Sequence, residues 1–245
     1  MIIKARLLVF VVMGVMGLQT QPVAGSDFES LTNESGVNTV TGRVWGAQAQ
    51  SERRRFKVYK NADICGASVP DESLLMDGQG ALSNAVVVMR PLSRKVSAQP
   101  QQIALDNRLC AFIPHVQATT VGSNLLLKNS DPILHTVHAR LEKVTLFNVG
   151  LPRWRTVNKL LGRPGIIKID CDVLHTWMSA VIVVTASPYF RVTDKNGSFA
   201  FSHLPSGKYE MQIWHERLGV KTQFVDVSET SRHFVDVVYG IKKLP

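Results

Sequence analysis

The chain has 245 residues, 45% of them hydrophobic and 19% charged, which is enough for one large or two small domains. Its balance is basic, 28 Lys and Arg against 19 Asp and Glu, a formal net charge of +9. No basic stripe interleaved with aromatics and no recognition helix goes with that charge. Nucleic acid is therefore not an expected partner, and an acidic protein, anionic envelope material or plain solvated surface remains.

Met1 to Gly25 opens with Lys4 and Arg6, continues with an apolar run from Leu7 to Leu18 and ends on the small residues Val23-Ala24-Gly25. This is the pattern of a signal peptide, and it predicts export to the periplasm. The apolar run is short for a bilayer and nothing downstream is longer, so no membrane span is expected. Ser26 to Asn38 is polar and reads as a flexible leader. Thr39 to Gly46 then alternates as a half-exposed strand does, and Ala85 to Met89 is a second firm strand after the loop signal Asp77-Gly78-Gln79-Gly80. Pro91 to Gln102 is a polar connection. Throughout, short runs of Val, Ile and Thr are broken by Gly, Pro, Asn and Asp, and no helical period is sustained. The predicted class is all-β. Basic residues gather at Arg53, Arg54, Arg55, Lys57 and Lys60, at Arg90, Arg94 and Lys95, and at Arg153, Arg155 and Lys159.

Two later segments carry chemistry. Cys171-Asp172-Val173-Leu174-His175-Thr176-Trp177-Met178 places a thiol, an imidazole and a thioether within eight residues, and Asn129 to His138 supplies a further imidazole. Soft sulfur with imidazole suits copper, and two His, one Cys and a weak Met form the blue-copper ligand set. His135 is the candidate second imidazole. His138, three residues on, points to the opposite face of a strand and reads as structural. His115 is a secondary candidate, as an outer hydrogen-bond partner, an alternative ligand or, with Cys110, a second metal site. Asp170 and Asp172 flank the Cys and face away from the ligand side. Near the C-terminus, Val192 to Phe201 carries an Asn196-Gly197 hairpin signal, and Leu204 to Trp214 repeats turn and alternating strand. Trp214-His215-Glu216-Arg217 lacks any nucleophile elbow or zinc-protease helix and reads as a polar cluster or an ion pair between domains. No catalytic site is expected.

Residues Phe112 to Gly122, Leu125 to Asp131 and Leu161 to Cys171 resemble the strands that lead to the ligands in cupredoxins of the amicyanin and plastocyanin type. The resemblance implies a Greek-key β-sandwich holding one mononuclear copper, with His135, Cys171 and His175 as the strong ligands and Met178 as the long axial one. Three residues separate Cys171 from His175, where that family more often has two or four, and Thr136 stands where it usually has Asn. With Cys171 taken as thiolate, the remaining cysteines, Cys65 and Cys110, are expected to pair in the oxidising periplasm. The terminal T-D-x-x-G-x-F and L-P-x-G-x-Y runs resemble the second half of the carboxypeptidase regulatory-like, transthyretin-like β-sandwich, and Val40 to Val44 with Leu82 to Met89 look like its opening strands. The implied organisation is a signal peptide (1–25), a leader (26–38), opening sandwich strands (39–97), an inserted copper domain (98–186) and the remaining sandwich strands (187–245). Consecutive domains are the alternative. Proteins that combine these parts resemble those labelled methylamine-utilisation proteins, which implies electron transfer to a redox protein partner in the periplasm. A copper carrier or buffer, and a glycan or cell-surface interaction module, are the other readings.

Overall fold

The computed structural model describes residues 38–46, 54–228 and 232–240; the signal-peptide and leader segments fall outside them, apart from Asn38. In chain order the strands and one short helix are β1 (Thr39–Gly46), β2 (Arg55–Lys57), α1 (Ala62–Cys65), β3 (Ser68–Pro70), β4 (Val86–Pro91), β5 (Gln102–Arg108), β6 (Ala111–Ile113), β7 (Val116–Thr120), β8 (Ser123–Asn129), β9 (His135–Leu141), β10 (Val144–Leu151), β11 (Thr156–Leu161), β12 (Gly165–Asp170), β13 (Ser179–Thr185), β14 (Tyr189–Val192), β15 (Ser198–Phe201), β16 (Gly207–His215), β17 (Gly219–Val227), β18 (Arg232–Phe234) and β19 (Val237–Tyr239). The protein is all-β, and among the described residues no helix is long and apolar enough to cross a membrane.

The strands form two sandwiches. A five-stranded sheet, β10-β9-β12-β13-β7, faces a four-stranded one, β11-β8-β5-β6. Leu105, Leu125, Leu127 and Phe112 from the smaller sheet interdigitate with Val137, Ala139, Ile167, Ile169 and Ile182 from the larger. The second sandwich pairs β14-β4-β16-β17 with β15-β1-β18, where β19 also joins β1. Its core takes Val40 and Val44 from β1 together with Tyr209, Met211 and Ile213 from β16, so residues from both ends of the chain share one interior. The chain leaves this second sandwich after β4 and returns to it at β14.

The apolar runs on β4 and β13 are unbroken for one reason. On β4, Val87 and Met89 enter the terminal core while Val86 and Val88 face outward; on β13, Ile182 and Val184 enter the middle core while Val181 and Val183 face outward. The outward valines, with Val116 and Trp214, pack in a third cluster that joins the sandwiches. Strands buried on both faces lose the alternation that half-exposed strands keep.

The Asn-Gly signal at Asn196-Gly197 differs from its sequence reading. The turn is present, with Gly197 at φ 69° and its N–H bonded to the Asp194 carbonyl at 3.0 Å. It does not close a ladder between its flanking strands, because β14 pairs with β4 and β15 pairs with β1. The turn is a corner between sheets. Asp194 Oδ1 accepts the N–H groups of Asn196 and Ser198, and Val44 N–H reaches the Gly197 carbonyl, so the corner is docked onto β1.

Candidate metal centre

Strands β9 and β12 are antiparallel neighbours, with His138 opposite Asp170. The first residue of β9, His135, and the residue after β12, Cys171, therefore lie at the same end of the sheet. The chain then reverses through Leu174 at φ 65°, and Met178 N–H donates to the His175 carbonyl at 2.9 Å before β13 begins. This reversal returns His175 to Cys171. Asn129 prepares the opposite side: its side-chain amide donates to the Ile133 and Leu151 carbonyls and its oxygen accepts Asp131 N–H, which fixes the turn leading into His135.

Three donor atoms converge. Cys171 Sγ is 3.9 Å from His135 Nδ1 and 3.8 Å from His175 Nδ1, and the two Nδ1 atoms are 3.1 Å apart. All three residues are buried. Both imidazoles turn the same nitrogen inward because acceptors hold the other. His135 Nε2 is 2.9 Å from Asp131 Oδ2, and His175 Nε2 is 3.0 Å from Asn61 Oδ1. A carboxylate and an amide oxygen can only accept, so each Nε2 carries the hydrogen there. Asp131 is itself held by the N–H groups of Leu109 and Cys110, at 2.7 and 2.9 Å.

The sulfur is also a hydrogen-bond acceptor. Thr136 N–H reaches it at 3.5 Å, and the Thr136 hydroxyl, 3.8 Å from the sulfur, accepts Asp172 N–H at 2.7 Å. Burial works against the Cys171 thiolate, but the His135 bond and the Thr136 and Val173 N–H groups outweigh it and lower the thiol pKa. Burial likewise opposes protonation of His135, yet Asp131 and the sulfur hold its pKa above the ordinary imidazole value. For His175, burial, then the neighbouring His135 and Lys60 charges, push the pKa down to about 4.

The donor set fits a copper ion. Three donors at these separations can all reach one ion at about 2.0–2.1 Å from nitrogen and about 2.3 Å from sulfur, and imidazole with thiolate suits copper or zinc rather than magnesium or calcium. Met178 is buried at the end of the same loop.

Several expectations are corrected or placed. His175 is 1% exposed, and Asn61 lies against its ring. His115 bonds to the Ser179 carbonyl at 3.0 Å and to Glu216 at 2.7 Å, which leaves neither ring nitrogen for a metal. Cys110 is joined to Cys65 by a disulfide, and Cys171 is the free cysteine. His138 faces away from His135 and pairs with Asp172 at 3.0 Å, while Asp170 pairs with Arg140. Two residues that touch the imidazoles, Asp131 and Asn61, have no signal that the ligand motifs display.

No family model and no curated protein matches the sequence. Among solved structures, the chain is similar to the copper-containing nitrite reductase of Thermus scotoductus SA-01, at 18% identity over 39% of this chain and 25% of that one, with a TM-score of 0.31. It is also similar to a purple cupredoxin from Nitrosopumilus maritimus, at 20% identity over 36% of this chain and 100% of that one, TM-score 0.29. Amicyanin from Paracoccus versutus is similar at 11% identity over 40% of this chain and 97% of that one, TM-score 0.31. The chain thus spans about a quarter of the nitrite reductase it matches.

Proposed function

We propose that the chain is an exported copper protein of electron-transfer type, with His135, Cys171 and His175 as the strong ligands and Met178 as the weak fourth. The observation that carries the reading is the convergence of His135 Nδ1, Cys171 Sγ and His175 Nδ1 within 3.9 Å, with both outer nitrogens already bonded to acceptors. Copper, when bound, supplies a one-electron couple. The residues supply a cage that needs little rearrangement: Asp131 and Asn61 hold the rings, Thr136 holds the sulfur, and burial excludes water. A preformed, enclosed site favours a resident ion over the carrier reading, which requires ready release.

The exposed residues Arg54, Arg55, Lys57 and Lys60 give a basic surface to the segment that carries Asn61, the contact to His175. An acidic redox protein is the partner that such a face attracts. The middle sandwich, on this reading, is the copper domain, inserted between β4 and β14 of the terminal one.

Copper analysis after loading and desalting tests the ligand assignment. Wild type and His138→Ala are expected to retain one copper per chain and Cys171→Ala none. Equal retention by Cys171→Ala would exclude the site.

A further inference from the structure

Asn61 is not a metal donor, yet its contact fixes one. It has φ 57° and ψ 38° at the start of α1, and its side-chain oxygen accepts the Nε2 hydrogen of His175. At the other end of α1, Cys65 is bonded to Cys110, whose N–H donates to Asp131, the residue that holds His135. One continuous path therefore joins the holders of both imidazoles: Asn61 connects covalently through α1 and the disulfide to Cys110, whose N–H is hydrogen-bonded to Asp131, and hydrogen bonds tie Asn61 to His175 and Asp131 to His135. Among the described residues, β2 and β3 pair only with each other, so the segment carrying Asn61 has no backbone ladder to either sandwich. It is held by the disulfide, by the Asn61 contact and by Val58, Cys65 and Val69, which enter the middle core.

From this arrangement we infer that the segment around α1 is a clamp on the metal centre. Asn61 is a positioning residue that keeps His175 in the tautomer presenting Nδ1 to the ion, the Cys65–Cys110 bond keeps Asn61 in place, and together they make release of the ion slow. The inference rests on the copper reading above and deepens it. With the Nε2 acceptor gone, the His175 hydrogen has no fixed partner, and either ring nitrogen can carry it. With the cover gone, a competing ligand reaches the His175 side directly. Losing an outer partner of this kind typically weakens metal binding by about 10–100-fold.

The test is the rate at which the Cu(I)-loaded full chain gives its ion to excess bicinchoninate. Asn61→Gly removes the acceptor and tolerates the left-handed backbone at this position, whereas Asn61→Asp keeps an acceptor oxygen there. N61G is expected to release copper at least about tenfold faster than wild type while retaining the thiolate-to-copper band of its Cu(II) form, and N61D to stay within about twofold. The paired change Cys65→Ser with Cys110→Ser is expected to release at the N61G rate or faster; the wild-type rate would overturn the part assigned to the disulfide. Release from N61G at the wild-type rate, or equal acceleration in N61G and N61D, would overturn the positioning role and leave the copper reading standing. Absence of the band from wild type would overturn the copper reading, and the clamp with it.

Discussion

The Cys171 thiol is drawn below its ordinary pKa by its neighbours rather than by exposure. It is 4% exposed, and burial alone would raise its pKa; His135 and the N–H groups of Thr136 and Val173 outweigh burial and lower it. Asp131 stands one step behind, as the carboxylate that orients His135. Asp131→Ala is expected to weaken copper binding by about 10–100-fold in a competition titration, with His138→Ala unchanged because His138 is on the other face of β9. The candidate donors are legible, since a Cys, a His and a Met in one short loop, with a His-bearing strand upstream, form a rare combination of soft side chains. Their holders are not. Asp131 reads as a turn residue before proline, and its anchoring depends on the Leu109 and Cys110 N–H groups of a distant turn. Asn61 lies 114 residues from the ring it holds, and a contact of that span has no local pattern.

Alternation marks Thr39 to Gly46 as a strand and an apolar run marks Ala85 to Met89, but neither pattern names the strand's partner. The Asn196-Gly197 pair specifies a tight turn whichever sheets it joins, and the corner forms because β1 offers Val44 N–H to the Gly197 carbonyl. The same docking leaves no room for a side chain: a Cβ at residue 197 would lie 2.6 Å from the Val44 carbonyl oxygen and 2.9 Å from Leu82 N. Gly197→Ala adds that collision to a left-handed backbone costing about 1–2 kcal/mol, so a loss of at least about 2 kcal/mol is expected in urea unfolding. An unchanged midpoint would mean that the corner is not docked. The Cys65–Cys110 bond closes a loop with a sequence separation of 45, and opening it is expected to cost about 2–4 kcal/mol, read as a lower urea midpoint for the double Ser variant.

Among the described residues, two sandwiches are joined by valines with Trp214 and by a polar contact. His115, just ahead of β7, meets Glu216, just after β16, at 2.7 Å. Burial opposes a charge on His115, but the Glu216 bond and charge outweigh it and raise its pKa, so the ion pair is strongest below the ordinary imidazole range. The adjacent His215 is 1% exposed and has the opposite sign: burial first, with the charges of His115 and Arg217, lowers its pKa from 6.5 to about 4. The unfolded chain therefore takes up the His215 proton first as pH falls below 6.5, and the fold loses stability through that window down to about 4. His215→Asn is expected to remove about 2–3 kcal/mol of the loss between about pH 7 and 4.5, compared with wild type by urea unfolding at both values. A parallel loss in both proteins would mean that His215 is not held neutral. Trp214-His215-Glu216-Arg217 reads in sequence as an interface ion pair or polar cluster, but its partner, His115, lies 101 residues from Glu216 and on its own reads as a secondary metal candidate. If the middle sandwich holds copper between two imidazoles and a thiolate, the visible and electron paramagnetic resonance spectra of the chain loaded with one equivalent of Cu(II) will reveal it. An intense thiolate-to-copper band with a small copper hyperfine splitting is the expected result; weak d–d absorption alone, or no bound copper, would contradict it.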